Sequence, residues 1–82
     1  MSTIQQDTIE DRVKTIIAQQ FCRSADEIDL TADMASTFQC DSLDLVEITM
    51  CVEDEFGIEI DDHEMYAMKT GRQIVDHVRG KV

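Results

Sequence analysis

Eighty-two residues supply material for one domain, residues 1–82, near the lower size limit at which a hydrophobic core alone stabilises a chain. Seven basic residues against eighteen acidic ones give a formal charge of −11, which disfavours phosphate backbones and anionic lipid and points to partners with basic patches. With 43% apolar residues in helical periods, 5% aromatic residues and no Trp or Pro, the chain is expected to form an all-α bundle rather than a sandwich or barrel.

Met1 to Gln6 has no basic segment, apolar stretch or cleavage pattern of a secretory signal, and no run of eighteen apolar residues occurs. A cytoplasmic protein with no membrane role is expected. Cys22, Cys40 and Cys51 are odd in number and lack Cys-x-x-Cys spacing, so the thiols are expected to be reduced and no metal site is expected.

Thr8-Ile9-Glu10-Asp11 predicts a capping box, with Asp11 reaching back to Thr8, at the start of a first helix. Ile9, Val13, Ile16, Ile17 and Phe21 then share a core face. From Cys22 to Cys40 many Ser, Thr and Asp side chains compete with helix, which predicts a long loop with one short turn at Ser24 to Glu27. Ile28, Leu30, Met34 and Phe38 are its anchors.

Asp41 is placed to cap the next helix and put Ser42 at its first position. At about 100° per residue, Leu45, Ile48, Val52 and Phe56 face the core. Leu43, Val46 and Met50 form a second apolar stripe beside Glu47 and Asp54. Core packing needs only one such stripe, so the second marks a recognition face; the plainer reading is an ordinary solvated surface.

Gly57 suits a left-handed C-terminal cap, and Ile58-Glu59-Ile60 reads as an extended link. Asp61 to Met68 predicts a short third helix, acidic at its start. Thr70 with Gln73 predicts the capping box of a last helix, with Ile74, Val75 and Val78 inward and Arg79 and Lys81 at its negative end. The result is a four-helix bundle with a long first loop and a short third helix.

Asp41-Ser42-Leu43-Asp44, followed by Val46-Glu47 and the acidic Glu53-Asp54-Glu55-Phe56, resembles the acyl carrier protein family over nearly the whole chain. The resemblance implies a carrier, not an enzyme, with 4′-phosphopantetheine covalently attached at Ser42 and with Asp41 supporting the attachment. Acyl groups would travel as thioesters on that arm between fatty-acid or polyketide-type enzymes. It implies a phosphopantetheinyl transferase and basic acyl-transferring or chain-elongating enzymes as partners. Leu43, Asp44, Val46, Glu47, Met50, Glu53 and Asp54 would be their docking surface.

The acyl chain is expected between helices lined by Ile17, Ile48, Val52, Phe56, Met65, Met68 and Val75, whose default role is packing. Other readings are an aminoacyl or D-alanyl carrier, against which Leu43 argues mildly, an unmodified acidic interaction module, and a weak divalent-cation binder using Asp61, Asp62 and Glu64. Cys40, Cys51, His63 and His77 read as ordinary packing or surface residues.

Two positions depart from the family pattern. Phe38-Gln39-Cys40 stands where relatives commonly carry Leu-Gly-x, and Asp61 stands where a proline often follows the extended link. Both suggest a specialised pathway. The high charge favours a monomer, and it also implies self-repulsion in the folded state. Salt or divalent cations are therefore expected to raise the melting temperature; a thermal melt unchanged across a salt titration would contradict this.

Overall fold

The computed structural model describes residues 8–82. Five α-helices follow one another with no strand among the described residues: α1 (Ile9–Gln20), α2 (Met34–Phe38), α3 (Ser42–Phe56), α4 (Asp62–Ala67) and α5 (Gly71–Lys81). A short 3₁₀ turn, Ala25–Glu27, lies between α1 and α2. The all-helical expectation holds, with one helix more than the pattern predicted.

Thr8 caps α1 as expected, its hydroxyl accepting from the Asp11 amide at 3.1 Å, but Asp11 makes no return bond among the described residues. Val13, Ile16 and Ile17 are buried, with Ile9 and Phe21 packed against their edge. Thr70 and Gln73 complete the reciprocal cap of α5, and Ile74, Val75 and Val78 are fully enclosed. Helix α1 packs on both α5 and α3, so the core lies where the inward faces of these three helices meet.

The segment expected to be one long loop is more ordered than its composition suggests. Asp33 accepts from the Ala35 amide at 2.8 Å, which starts α2, and buried Met34 pins the helix to the core. A five-residue helix has little stability alone. Its sequence, Met-Ala-Ser-Thr-Phe, carries no sustained period to reveal it. Main-chain contacts supply the rest: the Met34 amide donates to the Lys69 carbonyl (3.0 Å), the Arg72 amide to the Leu30 carbonyl (2.7 Å), and Asp33 pairs with Thr70 in an isolated antiparallel bridge. A Cβ on Gly71 would come within 2.6 Å of the Leu30 side chain, so the bare glycine permits this close approach.

The link after α3 follows expectation. Gly57 is left-handed (φ 65°), and its amide and that of Ile58 turn back to the Glu53 carbonyl at 2.8 and 3.2 Å. Asp61, standing in the place of the family's proline, caps α4 by accepting from the Glu64 amide, while Glu64 returns a bond to the Asp61 amide. The missing proline is thus replaced by a different way of starting the same helix.

Among the described residues four ion pairs tie the helices together: Arg12 to Glu55 (2.7 Å) joins α1 to α3, Arg72 (2.6 Å) and Arg79 (3.4 Å) to Glu10 join α5 to α1, and Lys81 to Glu64 (2.9 Å) joins α5 to α4. Arg12 also lies over the Phe56 ring at 4.7 Å. Each pair is partly exposed, so each adds modestly to stability.

Gln39 closes α2 in the left-handed conformation (φ 57°), and its amide and that of Cys40 both turn back to the Met34 carbonyl. A side chain is costly there, by about 1 kcal/mol or more. Gln39→Gly is expected to stabilise the fold by about 1 kcal/mol, measured as a rise in urea midpoint with unchanged slope; a lowered midpoint would contradict that cost.

Candidate functional site

The site is built around the start of α3. The Asp41 carboxylate accepts from the Asp44 amide at 2.9 Å, and the Asp44 carboxylate accepts from the Asp41 amide at 3.3 Å. This reciprocal cap fixes the first turn and sets Ser42 at the first helical position, exposed to solvent. Among the described residues the Ser42 hydroxyl has no hydrogen-bond partner. Its oxygen is therefore free to be esterified, and the unpaired amides of a fifteen-residue helix favour negative charge beside it.

On one side of Ser42 lies a half-open groove of about 360 Å³. Its apolar wall is formed by Met34 and Met68, both buried, with half-buried Leu45; Tyr66 and Lys69 also line it. Cys40 lines the groove as well, and its thiol donates to the Asp41 carbonyl at 3.6 Å. Burial, then the carboxylates of Asp44, Asp41 and Asp33, push its pKa up. Cys40 is thus a thiol rather than a nucleophilic thiolate at neutral pH. Neither Tyr66 nor Lys69 stood out in the sequence, since an aromatic or a lysine near the end of a short helix has no distinctive pattern.

On the other side, α3 presents its outer face. Leu43 (66% exposed) and Met50 (58%) stand out from it, near exposed Glu47 and Asp54. Val46 does not share that exposure: it is half-buried against the core. At about 100° per residue it lies on the flank of the helix, closer to the core than Leu43 or Met50. Glu53, seven residues on, occupies the same flank, and its carboxylate accepts from the Ile60 amide at 2.8 Å. It therefore fastens the link after α3. Of the predicted core side of this helix, Ile48 and Val52 are fully buried, whereas Leu45 and Phe56 are only partly so.

Gln20, at the end of α1, was silent in the sequence. Its amide donates to Asp44 (3.0 Å) and Glu47 (2.6 Å), holding two neighbouring carboxylates together without neutralising either. Thr49 is a second unpredicted feature: it is buried on the core side, its hydroxyl returned to the Leu45 carbonyl at 2.8 Å.

A model of the phosphopantetheine attachment site family matches residues 11–78. The chain belongs to that family. It is also similar to the acyl carrier protein from Enterococcus faecalis, at 26% identity and a TM-score of 0.77, with all of both chains covered. The protein is accordingly a carrier of the acyl-carrier type, and its cofactor is covalent 4′-phosphopantetheine. No helix among the described residues is long and apolar enough to cross a membrane, and no cluster of His, Cys, Asp and Glu there has the arrangement to hold a metal ion. Of the acids considered for weak cation binding, Asp61 and Glu64 are committed to the α4 cap, and Glu64 also pairs with Lys81.

Asp41→Ala is expected to lower stability by about 1 kcal/mol and to speed amide exchange selectively in the first turn of α3. Unchanged exchange at Leu43 and Asp44 would show that the cap does not hold the turn that carries Ser42.

Proposed function

We propose that Ser42 is the attachment point of the phosphopantetheine arm and that the protein presents acyl intermediates to fatty-acid or polyketide-type biosynthetic enzymes. The observation that carries this reading is the placement of Ser42: exposed and unbonded, held by the Asp41–Asp44 cap between an apolar groove and an acidic outer face. The arm supplies a thiol that holds an acyl group as a reactive, transferable thioester. Asp41 supports attachment by holding the serine in place, and the start of α3 favours the added phosphate charge. The apolar wall of Met34, Leu45 and Met68 favours an acyl cargo over a small charged one, and methionine side chains adapt readily to variable shapes.

Docking is assigned to Leu43 and Met50 as apolar anchors and to Asp44, Glu47 and Asp54 as charges. Val46 contributes from the flank, and Glu53 takes part only where it keeps its bond to Ile60. None of these acids is in an ion pair among the described residues, whereas Glu10, Glu55 and Glu64 are. The face therefore keeps its charge for basic patches on a phosphopantetheinyl transferase and on acyl-transferring or chain-elongating enzymes. Single charge losses there should act mainly on association rate. Gln39 and Asp61 alter the approaches to α3 and α4 and support a specialised clientele. The protein works in the cytoplasm as a monomer and does no catalysis itself.

Intact mass after incubation with a broad-specificity phosphopantetheinyl transferase and coenzyme A tests the central assignment. Wild type is expected to gain one phosphopantetheine and Ser42→Ala none. An equal gain in the alanine variant would move the site elsewhere.

A further inference from the structure

Among the described residues, the groove beside Ser42 carries one cationic side chain. Its charged lining residues are Asp33, Asp41 and Lys69. Asp33 and Asp41 each spend a carboxylate oxygen on a helix cap, accepting from Ala35 and Asp44 respectively. Lys69 is exposed and forms no ion pair among the described residues, unlike Arg12, Arg72, Arg79 and Lys81. Its backbone is held at both ends: the Lys69 amide donates to Gln73 Oε1 at 2.7 Å, and its carbonyl accepts from the Met34 amide at 3.0 Å. The ammonium thus projects from a fixed point on the same groove as the Ser42 hydroxyl. Tyr66, 57% exposed, shares that lining.

Esterification of Ser42 would add a phosphodiester anion to a rim that already carries Asp33 and Asp41, with Asp44 bonded to Asp41 in the same helix turn, in a chain of formal charge −11. Like charges so close are unfavourable unless a cation is at hand. On the reading that Ser42 carries the arm, we propose that Lys69 is the intramolecular counter-ion of the Ser42 phosphodiester, with Tyr66 as an apolar wall for the gem-dimethyl segment that follows the phosphate. Lys69 is then a positioning residue: it biases the root of the arm toward the groove. Competing counter-ions and high salt weaken that bias.

The experiment compares apo and modified forms of wild type, Lys69→Met and Lys69→Arg, each checked by intact mass. Methionine keeps an unbranched apolar stem, and the contacts that hold position 69 are backbone ones, so both variants are expected to fold. At low salt, modification is expected to lower the melting temperature of Lys69→Met by about 2–5 °C relative to its effect on wild type. Lys69→Arg should restore the wild-type response, and about 0.5 M NaCl should erase the difference. In wild type, the side-chain NMR signals of Lys69 should move on modification; in the Ser42→Ala protein treated identically they should not. Equal melting responses in wild type and Lys69→Met, with Lys69 signals unmoved by modification, would overturn the counter-ion while leaving the carrier reading intact. Absence of any mass gain in wild type would overturn both.

Discussion

Everything around Ser42 rests on a short main-chain seam. Leu30 accepts from Arg72, Met34 donates to Lys69, and Asp33 pairs with Thr70, so the connection between α1 and α3 is fastened to the start of α5. Backbone groups in an unfastened loop would bond to water and leave the loop mobile. Fastened, they allow a five-residue helix to persist, bring Met34 beside Met68 and deliver the chain to Asp41 at a fixed place. A bare glycine at position 71 eases the seam, because a Cβ there would press on the end of the Leu30 side chain. The groove is therefore a product of the same contacts that order the loop.

Charge is distributed with similar economy. Seven basic residues serve eighteen acidic ones, and four of the basic residues tie helices together through Glu10, Glu55 and Glu64. Among the described residues, the outer face of α3 receives none of them. Gln20 instead holds Asp44 and Glu47 through a neutral amide, which orders two carboxylates without cancelling them. A surface of this kind retains its field for a basic partner and sets apolar Leu43 and Met50 within it.

Several local signals were legible because their chemistry is confined to a few adjacent residues. Asp41, Thr70 with Gln73, and Gly57 each specify a helix end through bonds or dihedral preferences that neighbouring residues satisfy. Helix α2 was not legible, since its stability comes from partners more than thirty residues away. Position 39 lies between these cases: the missing glycine is visible in the sequence, but only the fold shows Gln39 accepting the left-handed conformation.

The outer face of α3 shows the same division. A regular angular step separates Leu43 and Met50 from Ile48 and Val52, but the flank positions Val46 and Glu53 are decided by what packs beside them. The sequence by itself determined the helical class, the capping residues Thr8, Asp41, Gly57 and Thr70, the excess of acid and the motif containing Ser42, because each depends on composition or near neighbours. Only the tertiary structure decided that Glu53 fastens a link, that Gln20 gathers two carboxylates, and that Tyr66 and Lys69 share a groove with Ser42. Those relations join residues distant in the chain, and long-range packing alone sets which of them meet.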